Sequence, residues 1–434
     1  MAQGLISRRA VLAATAAFAG TLAAPRVSAE ARARLVIVGG GFGGASAARF
    51  ARDAFPDAEV TLIERSRSFT TCPYGNLVLA GMRTVESITF GYDGLARRGV
   101  RVVHDEVTAV DATSRTVRLA NGAPIPYDRL IMSPGIDLRW GAIEGYTEAA
   151  SARMPHGWVP YLQPITVLER QLRAMPDGGV FIMTIPANPF RCPPGPYERI
   201  SMVAHYLKQV KPRSKVLALD AKDGFSKQPL FVEAWRELYG PMVEWVGASN
   251  DGRVTAVNPE AMTVTTEFGQ THKGAVVNVI PPQMAAKVAR DAGLADQSGW
   301  CPVKAGTLES ALVPGIHVIG DASIAAPMPK SGFVASTHGK QAVAAAMALI
   351  RGQAPPAPVY FNTCYSHVGT DYGISIVGIF RADGDRFIEV PNSGGISPRN
   401  EAMPPERRAE QRRLEALYAD GWYESITREM FGLS

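Results

Sequence analysis

The chain contains 434 residues, of which 46% are hydrophobic and 20% charged, and its 42 glycines and 32 prolines follow no period. This composition excludes a disordered, collagen-like or coiled-coil protein and leaves room for two or three domains with buried cores. The formal net charge of +5 is too small to indicate nucleic-acid binding. The four cysteines lie far apart without a C-x-x-C motif, and there is no H-E-x-x-H motif, so neither zinc nor covalent haem is expected.

The first 29 residues have the pattern of an export signal. Arg8 and Arg9 precede an alanine-rich apolar run, and the small-residue triplet Val27-Ser28-Ala29 follows it. This pattern predicts a twin-arginine signal cleaved after about Ala29, and hence a periplasmic protein in which disulfides persist. The alternative is an amphipathic N-terminal helix, but the run has neither a polar face nor the ~20 apolar residues of a membrane span.

A glycine loop follows the first predicted strand, Arg34–Val38. Gly39, Gly41 and Gly44 supply the pattern G-x-G-x-x-G, and a helix-forming stretch comes next. At a strand-to-helix junction these glycines allow a tight turn and a close backbone approach to a pyrophosphate, which the helix N-terminus stabilises.

An acidic residue stands at the expected distance from this loop. The second predicted strand, Glu59–Ile63, ends at Glu64, twenty residues after Gly44. A carboxylate at this position can accept both ribose hydroxyls of an adenosine. Loop and acid together predict dinucleotide binding.

Two later segments favour FAD over NAD. Gly315–Ala322 contains a predicted strand ending in Gly-Asp, and a predicted helix follows from about Ser331 to Ile350. With the strand and turn of Tyr127–Gly135, these segments resemble the two-dinucleotide-binding-domain flavoprotein family. The resemblance implies that Asp321 bonds the ribitol chain of FAD. It also implies that the helix directs its N-terminus at the flavin, where its dipole favours the negative charge of the reduced ring.

A second strand–helix–strand pattern lies between about Trp140 and Pro281. Gly178–Ile185 is a predicted buried strand, Ile200–Val210 a predicted helix and Lys215–Asp220 a further strand. Between the first two lies Pro186–Glu198, whose five prolines lack backbone N–H donors and cannot form a pyrophosphate cradle. We therefore expect an NAD-binding-like domain without a nicotinamide site.

Several motifs together resemble the flavoprotein subunit of flavocytochrome c sulfide dehydrogenase, over nearly the whole mature chain. They are Phe69–Asn76, Arg191–Glu198, the segment from Gly320 to Gly332, and Asn362–Tyr365. The resemblance implies that Cys72 is joined through sulfur to the flavin and that Cys192 and Cys364 form a redox-active disulfide over it. It also implies a c-type cytochrome subunit as electron acceptor. The alternative for each cysteine is an inert buried thiol, and we accept it for Cys301.

The resemblance predicts an α/β protein with two glutathione-reductase-like Rossmann domains and a C-terminal α+β interface module. The expected divisions are a signal peptide at 1–29, an FAD-binding domain at 30–139 and 286–355, an NAD-binding-like domain at 140–285 and the C-terminal module at 356–434. In the last of these we predict a strand over Tyr372–Phe380 and a charged helix over Glu406–Leu417.

The chemistry also follows from the residue types. Hydrosulfide can attack a disulfide sulfur, which gives a persulfide and releases the other thiolate. A flavin can then take two electrons and pass them singly to a haem partner. Glu198 is a candidate proton acceptor or an exposed loop carboxylate, and Lys330 is either solvated or an electrostatic partner of the flavin. Trp422 and Tyr423 are packing aromatics or neighbours of the flavin or the haem partner.

Three other functions compete with a sulfide–cytochrome c reductase. A sulfide:quinone oxidoreductase shares the fold and chemistry, but the charged run Arg407–Arg413 argues against an apolar membrane-binding helix. The others are a flavin-bearing accessory protein of a sulfur-oxidising complex and an exported flavoprotein with a purely structural Cys192–Cys364 disulfide. The predicted catalytic residues are Cys192, Cys364 and Glu198, and the predicted cofactor-binding residues are Gly39, Gly41, Gly44, Glu64, Cys72, Asp321 and Lys330.

Overall fold

The computed structural model describes residues 32–433, so the predicted export signal lies outside the described residues. The first strands are β1 (Arg34–Val38), β2 (Glu59–Ile63), β3 (Ser68–Thr70), β4 (Thr89–Gly91), β5 (Arg101–Val103), β6 (Val107–Asp111), β7 (Thr116–Leu119), β8 (Ile125–Pro126), β9 (Arg129–Met132) and β10 (Ile136–Leu138). The helices between them are α1 (Phe42–Ala54), α2 (Gly75–Ala80) and α3 (Asp93–Arg97).

The first sheet is parallel and has the order β20-β9-β1-β2-β5, in which β20 spans Ile316–Val318. Strand β1 pairs with β2 on one side and β9 on the other. Its residues Leu35 to Val38 are buried, as expected for a strand covered on both faces. Because β20 joins this sheet from far along the sequence, the sheet is built from two distant segments of the chain.

The second sheet is also parallel and has the order β13-β12-β11-β17. The elements of this region are α4 (Ile165–Ala174), β11 (Val180–Ile185), α5 (Gly195–Val210), β12 (Lys215–Asp220), α6 (Gln228–Leu238), β13 (Val243–Val246), β14 (Val254–Asn258), β15 (Thr263–Thr266), β16 (Thr271–Lys273), β17 (Val276–Val279) and β18 (Gln283–Ala285). Helix α5 begins five residues earlier than the predicted Ile200, because Pro196 is tolerated in its first turn.

The chain then returns to the first sheet. The returning elements are α7 (Lys287–Asp291), β19 (Cys301–Pro302), β20 (Ile316–Val318), β21 (Ser323–Ile324) and α8 (Gly332–Ile350). Helix α8 matches the prediction, and Ser331 caps its N-terminus by accepting a hydrogen bond from the backbone N–H of Val334.

An antiparallel sheet and a long helix end the chain. They consist of β22 (Val359–Gly369), β23 (Tyr372–Asp383), β24 (Arg386–Glu389), β25 (Gly395–Ile396) and α9 (Pro405–Phe431). The strand predicted over Tyr372–Phe380 corresponds to β23, which continues three residues further. The helix predicted over Glu406–Leu417 corresponds to α9, which continues fourteen residues further. Tyr423, Ile426 and Met430 extend its buried face over this additional length.

Short 3₁₀ turns complete the fold at Glu86–Ile88, Ala150–Ala152, Gly240–Met242, Ala248–Asn250, Gly320–Ala322 and Asn400–Ala402. The predicted α/β architecture with two parallel sheets is confirmed. The chain from Ala33 onward forms one compact unit, and the domain boundaries stay a prediction. None of the helices within residues 32–433 has the length and hydrophobicity needed to span a membrane.

Candidate active site

A deep cleft lies where the carboxyl ends of β1, β2, β9 and β20 meet, which is the usual ligand site of such sheets. It extends over the loop before α5 and over strand β22. All of the predicted site residues except Gly44 line it.

The glycine loop forms the first wall of the cleft. Gly39 has φ of +94°, and a Cβ there would lie 2.2 Å from the carbonyl oxygen of Ser133. Gly44 lies behind the loop, where a Cβ would stand 1.8 Å from the carbonyl oxygen of Gly39. Gly41 precedes α1 and leaves the first N–H groups of that helix without a side-chain cap. The loop therefore has the shape and the free donors of a pyrophosphate cradle.

Glu64 follows the end of β2 on the same side of the cleft. Its carboxylate accepts hydrogen bonds from the backbone N–H groups of Gly40 (2.7 Å) and Ser66 (2.9 Å). These bonds orient the carboxylate beside the glycine loop. Each oxygen keeps a lone pair that can accept a ribose hydroxyl.

The segment after β20 forms the opposite wall. Asp321 has a buried Oδ1 atom without a hydrogen-bond partner in the described chain, and burial raises the pKa of its carboxyl. The Nζ of Lys330 donates to the carbonyl oxygens of Asp321 (2.7 Å) and Ser323 (2.8 Å) and lies 3.9 Å from the ring centroid of Trp300. Lys330 is thus a packed cation at the cleft, and the interpretation as a solvated side chain is wrong.

These walls fit FAD. The unpartnered Oδ1 of Asp321 can accept a ribitol hydroxyl, and the N-terminus of α8 opens at the cleft beside Lys330. Two further residues have buried donors without partners in the described chain: Arg191, through its Nε and Nη2, and Trp422, through its indole N–H. Both residues line the cleft, so a bound ligand with several acceptor atoms would satisfy them.

Cys72 lies in the turn before α2. Its Sγ is 3.9 Å from the carbonyl oxygen of Trp158, and its own carbonyl oxygen accepts a hydrogen bond from the N–H of Gly75. The turn is fixed by Tyr74, which has φ of +72° and stacks on Tyr423 with 4.0 Å between ring centroids. Cys72 is half-buried and lines the cleft, where a covalent bond to a cofactor is possible.

Cys192 and Cys364 reach the cleft from different parts of the chain. Cys192 lies in the proline-rich loop with φ of +58°, and its N–H donates to the carbonyl oxygen of Lys330 (2.7 Å). Cys364 lies within β22. All four cysteines are unbridged in the structure, so the Cys192–Cys364 disulfide stays a prediction.

The two thiols are electrostatically coupled. Burial raises the pKa of Cys192 well above its usual range, and negative charge at Cys364, Glu198 and Cys72 adds to the effect. Burial also raises the pKa of Cys364, but the nearby Lys227 ammonium opposes the rise. In the thiol state the neutral form is favoured at both positions.

Glu198 lies in the first turn of α5 and is half-buried, not an exposed loop carboxylate. Its oxygens accept hydrogen bonds from the side-chain amide of Asn76 (2.7 Å) and the backbone N–H of His367 (2.9 Å). Asn76 also accepts a 3.0 Å hydrogen bond from the Nε of the buried Arg199. The carboxylate is therefore held in one position between the Cys72 turn and the Cys364 strand.

A polar network joins His367 to the protein surface. The phenol of Tyr74 donates to Asp420 (2.6 Å) and lies 3.3 Å from the Nε2 of His367. Asp420 also pairs with Arg83 at 3.1 Å. Burial lowers the pKa of His367, which keeps its imidazole neutral. This network ties the Cys72 turn to the C-terminal helix.

Aromatic side chains fill the crevice of the second sheet. Asp220, at the end of β12, is fully buried and accepts hydrogen bonds from Tyr197 (2.6 Å) and Trp245 (3.0 Å). Phe225 stacks on Tyr197 with 3.6 Å between ring centroids, and Lys222 pairs with Asp220 at 2.5 Å. These side chains occupy the position where a dinucleotide-binding domain would receive a ribose.

The remaining residues considered in the sequence lie in different environments. Trp422 lines the cleft and stacks on Phe333, whereas Tyr423 is a packing aromatic whose phenol contacts Thr71 at 2.7 Å. Cys301 is buried away from the cleft, and burial raises its pKa to about 12. Residues 32–433 contain no group of three or more His, Cys, Asp or Glu side chains placed to hold a metal ion.

Four further residues of this site were not predicted from the sequence: Asn76, Arg191, Lys227 and His367. Asn76 and Arg191 lie inside motifs that it used, and their polar side chains beside Cys72 and Cys192 were an available signal. His367 and Lys227 carry no local signal, because only the packing of β22 against α5 and α6 brings them to the cysteines.

Three family matches cover most of the described chain. Residues 165–281 match the central region of the sulfide dehydrogenase (flavocytochrome c) flavoprotein chain, and residues 356–431 match the flavin-binding region of flavocytochrome c sulphide dehydrogenase. Residues 33–155 match the pyridine nucleotide-disulphide oxidoreductase family. A 45-residue stretch is 53% identical to the sulfide dehydrogenase (flavocytochrome c) flavoprotein chain of Chlorobaculum thiosulfatiphilum and covers 94% of that sequence and 10% of this chain. The chain belongs to the flavocytochrome c sulfide dehydrogenase flavoprotein family.

Other similar proteins share the fold. The mitochondrial sulfide:quinone oxidoreductase of Dictyostelium discoideum is 26% identical over 297 residues, which cover 67% of this chain and 65% of that protein. The crystal structure of the sulfide:quinone oxidoreductase of Aquifex aeolicus superposes with a TM-score of 0.69 at 18% identity and 92% coverage of both chains. Putidaredoxin reductase, in its complex with putidaredoxin, superposes with a TM-score of 0.62 at 17% identity, over 92% of this chain and 98% of that one. These flavoproteins confirm the two-dinucleotide-binding-domain fold.

Proposed function

We propose that this flavoprotein oxidises sulfide through a disulfide between Cys192 and Cys364 and passes the electrons through FAD to a c-type cytochrome subunit. The observation that carries the proposal is the meeting of Cys192, Cys364 and Glu198 in the cleft whose other walls fit FAD. Family membership and the similarity to sulfide:quinone oxidoreductases support sulfide as the substrate.

The disulfide supplies the electrophile. Hydrosulfide attacks one of its sulfur atoms, forms a new S–S bond to that cysteine and breaks the bond between the two cysteines. One cysteine then carries a persulfide, and the other leaves as a thiolate with the electron pair. When bound, FAD accepts two electrons from this reduced centre and delivers them singly to a one-electron acceptor.

Glu198 is the proton acceptor for hydrogen sulfide in this proposal. Its two hydrogen bonds, from Asn76 and from the backbone of His367, hold the carboxylate at the cleft beside both cysteines. A proton taken by Glu198 leaves hydrosulfide, the stronger nucleophile, next to the disulfide.

Cys72 anchors the cofactor in this proposal. Its half-buried thiol lines the cleft and could bond the flavin through sulfur. A covalent link would prevent loss of FAD outside the cytoplasm.

We place the mature protein in the periplasm on the strength of Arg8, Arg9 and the small-residue triplet that ends at Ala29. Replacement of both arginines by Lys should leave the precursor in the cytoplasmic fraction; a processed periplasmic protein would contradict this assignment.

A quinone is the second candidate acceptor, because the Dictyostelium and Aquifex relatives are sulfide:quinone oxidoreductases. The charged surface of α9 around Arg407 and Arg413 favours the cytochrome. Sulfide-dependent reduction of cytochrome c and of a short-chain quinone, measured side by side, separates the two. Faster quinone reduction would overturn the cytochrome assignment.

The test of sulfide oxidation is an anaerobic sulfide titration monitored by flavin absorbance. Wild type should bleach rapidly, and Cys192→Ser and Cys364→Ser should not. Cys301→Ser is the matched control, because Cys301 is buried away from the cleft and should leave bleaching intact. Wild-type flavin that stays oxidised, or equal bleaching in all three variants, would favour the accessory or structural-disulfide alternatives.

A further inference from the structure

Lys227 is a buried ammonium beside the redox centre. The residue is 3% exposed, and its Nζ donates to the carbonyl oxygen of Cys364 (3.0 Å) and the hydroxyl of Ser366 (2.9 Å). Both partners are neutral. A buried cation is costly unless an anion compensates it.

The backbone of Lys227 adds to this cost. It has φ of +62°, a left-handed conformation that is unfavourable for a non-glycine residue, and it occupies the N-cap position of α6 without a side-chain capping hydrogen bond. The Nζ lies 5.7 Å from the ring centroid of Phe231, which contributes a modest cation–π interaction. A buried ammonium whose hydrogen-bond partners are both neutral is stabilised when a nearby group carries negative charge.

The charges around the two cysteines differ. Burial lowers the pKa of Lys227, and negative charge at Cys364, Glu198, Cys192 and Glu415, in that order, opposes the fall. Lys227 lowers the pKa of Cys364, while Glu198 raises it. Burial raises the pKa of Cys192, negative charge at Cys364, Glu198 or Cys72 adds to the rise, and Arg191 is the opposing cation.

We propose that Lys227 is a positioning residue that stabilises the thiolate of Cys364, so that sulfide attacks Cys192 and the persulfide forms there. This inference rests on the proposed sulfide oxidation. The new bond joins the sulfide sulfur to the Sγ of Cys192, and the Cys192–Cys364 bond breaks. The Sγ of Cys364 takes the electron pair and becomes the anion that compensates Lys227.

The first test measures thiol ionisation directly. The purified holoprotein is reduced with dithiothreitol and pulse-labelled with iodoacetamide from pH 6 to pH 11, and the labelling of each cysteine is quantified by peptide mass spectrometry. In Lys227→Met, we expect the alkylation profile of Cys364 to move up by at least about one pH unit, which is about tenfold slower labelling below the transition. The profile of Cys192 should move far less, and Lys227→Arg should restore that of Cys364.

The controls separate electrostatics from folding. Lys215→Met removes an exposed lysine at the start of β12 and should change neither profile. If Lys227→Met does not fold, Ser366→Ala removes one Nζ partner and should produce a smaller shift in the same direction. An unchanged Cys364 profile in the folded variants, or equal shifts of both cysteines, would overturn the inference.

The second test locates the persulfide. One equivalent of sulfide is added anaerobically to the oxidised holoprotein, which is then trapped with iodoacetamide and mapped. A persulfide at Cys192 with an alkylated Cys364 is expected, and a persulfide at Cys364 would refute the assignment. If wild type forms no persulfide and its flavin stays oxidised, the proposed function fails, whereas the alkylation profiles still report on Lys227.

Discussion

The backbone N–H of Cys192 donates a 2.7 Å hydrogen bond to the carbonyl oxygen of Lys330. This bond joins the proline-rich loop of the second domain to the segment that carries Asp321 and begins α8. The side chain of Lys330 is itself held by the carbonyl oxygens of Asp321 and Ser323. Lys330 therefore holds the proline-rich loop through its backbone carbonyl, while its own ammonium is fixed at the cleft.

Lys330 should make the flavin potential depend on pH. Burial lowers its pKa to about 8, so the ammonium is present below that pH and lost above it. A cation beside the cleft stabilises reduced flavin, and ~1.4 kcal/mol of such stabilisation raises a two-electron potential by ~30 mV. Lys330→Met should therefore lower the midpoint potential by that order at pH 6.5, and the difference from wild type should shrink above pH 9. Spectroelectrochemical titration measures it, and a difference that does not vary with pH would exclude the charge as its cause.

The same pKa shift predicts a stability effect. In the unfolded chain a lysine keeps its proton up to about pH 10.4, whereas folded Lys330 loses it near pH 8. Folding therefore releases a proton between these values, and the contribution of Lys330 to stability should rise with pH across this range. Thermal unfolding should show that the stability of wild type rises with pH relative to that of Lys330→Met between about pH 8 and about pH 10.4. Below pH 7 the difference in stability between the two proteins should not change with pH.

Cys72 should control whether the flavin survives denaturation. If it bonds the flavin through sulfur, acid precipitation of wild type leaves FAD in the protein pellet, and Cys72→Ser releases it to the supernatant. Cys301→Ser is the control, because that buried cysteine lies away from the cleft and should keep the flavin attached. Wild-type FAD that is fully released would refute the thioether. Intact-protein mass spectrometry provides an independent measurement.

The site residues that could be predicted are those whose position follows from the neighbouring sequence. Gly39, Glu64 and Asp321 each follow a strand at a set distance, and the strands could be recognised from their apolar runs. Each also lines the cleft. The contacts of Asn76 and Lys227 were not predictable, because each depends on two or more segments that are distant in sequence. The end of α9 was not predictable for a related reason, because the buried residues of its second half pack on segments distant in sequence, as Tyr423 does on Tyr74.

Asn76 should couple the position of Glu198 to stability. Its amide donates to Glu198, and its oxygen accepts from Arg199, which is buried and hydrogen-bonded on every side. Asn76→Ala leaves a guanidinium N–H unpaired, which costs about 1–3 kcal/mol, and frees the Glu198 carboxylate. We expect about tenfold slower flavin reduction by sulfide, with the loss greatest at low pH, where hydrogen sulfide must be deprotonated. Asn250→Ala, at an exposed turn, is the control. A loss of stability without a slower reduction would leave Asn76 a structural residue only.

Two helical glycines should respond oppositely to alanine. A Cβ at Gly44 would lie 1.8 Å from the carbonyl oxygen of Gly39, so Gly44→Ala must push α1 away from the glycine loop. That displacement should cost about 1–3 kcal/mol of stability and lower the FAD content. Gly421, in the exposed part of α9, has no heavy atom within 4 Å of its added Cβ. Gly421→Ala should therefore stabilise the protein by about 0.5–1 kcal/mol with normal FAD content. Thermal unfolding and the ratio of flavin to protein absorbance measure both effects. A Gly44→Ala variant with full FAD content would show that the loop does not need this close approach, because the two substitutions add the same methyl group and differ only in the space that surrounds it.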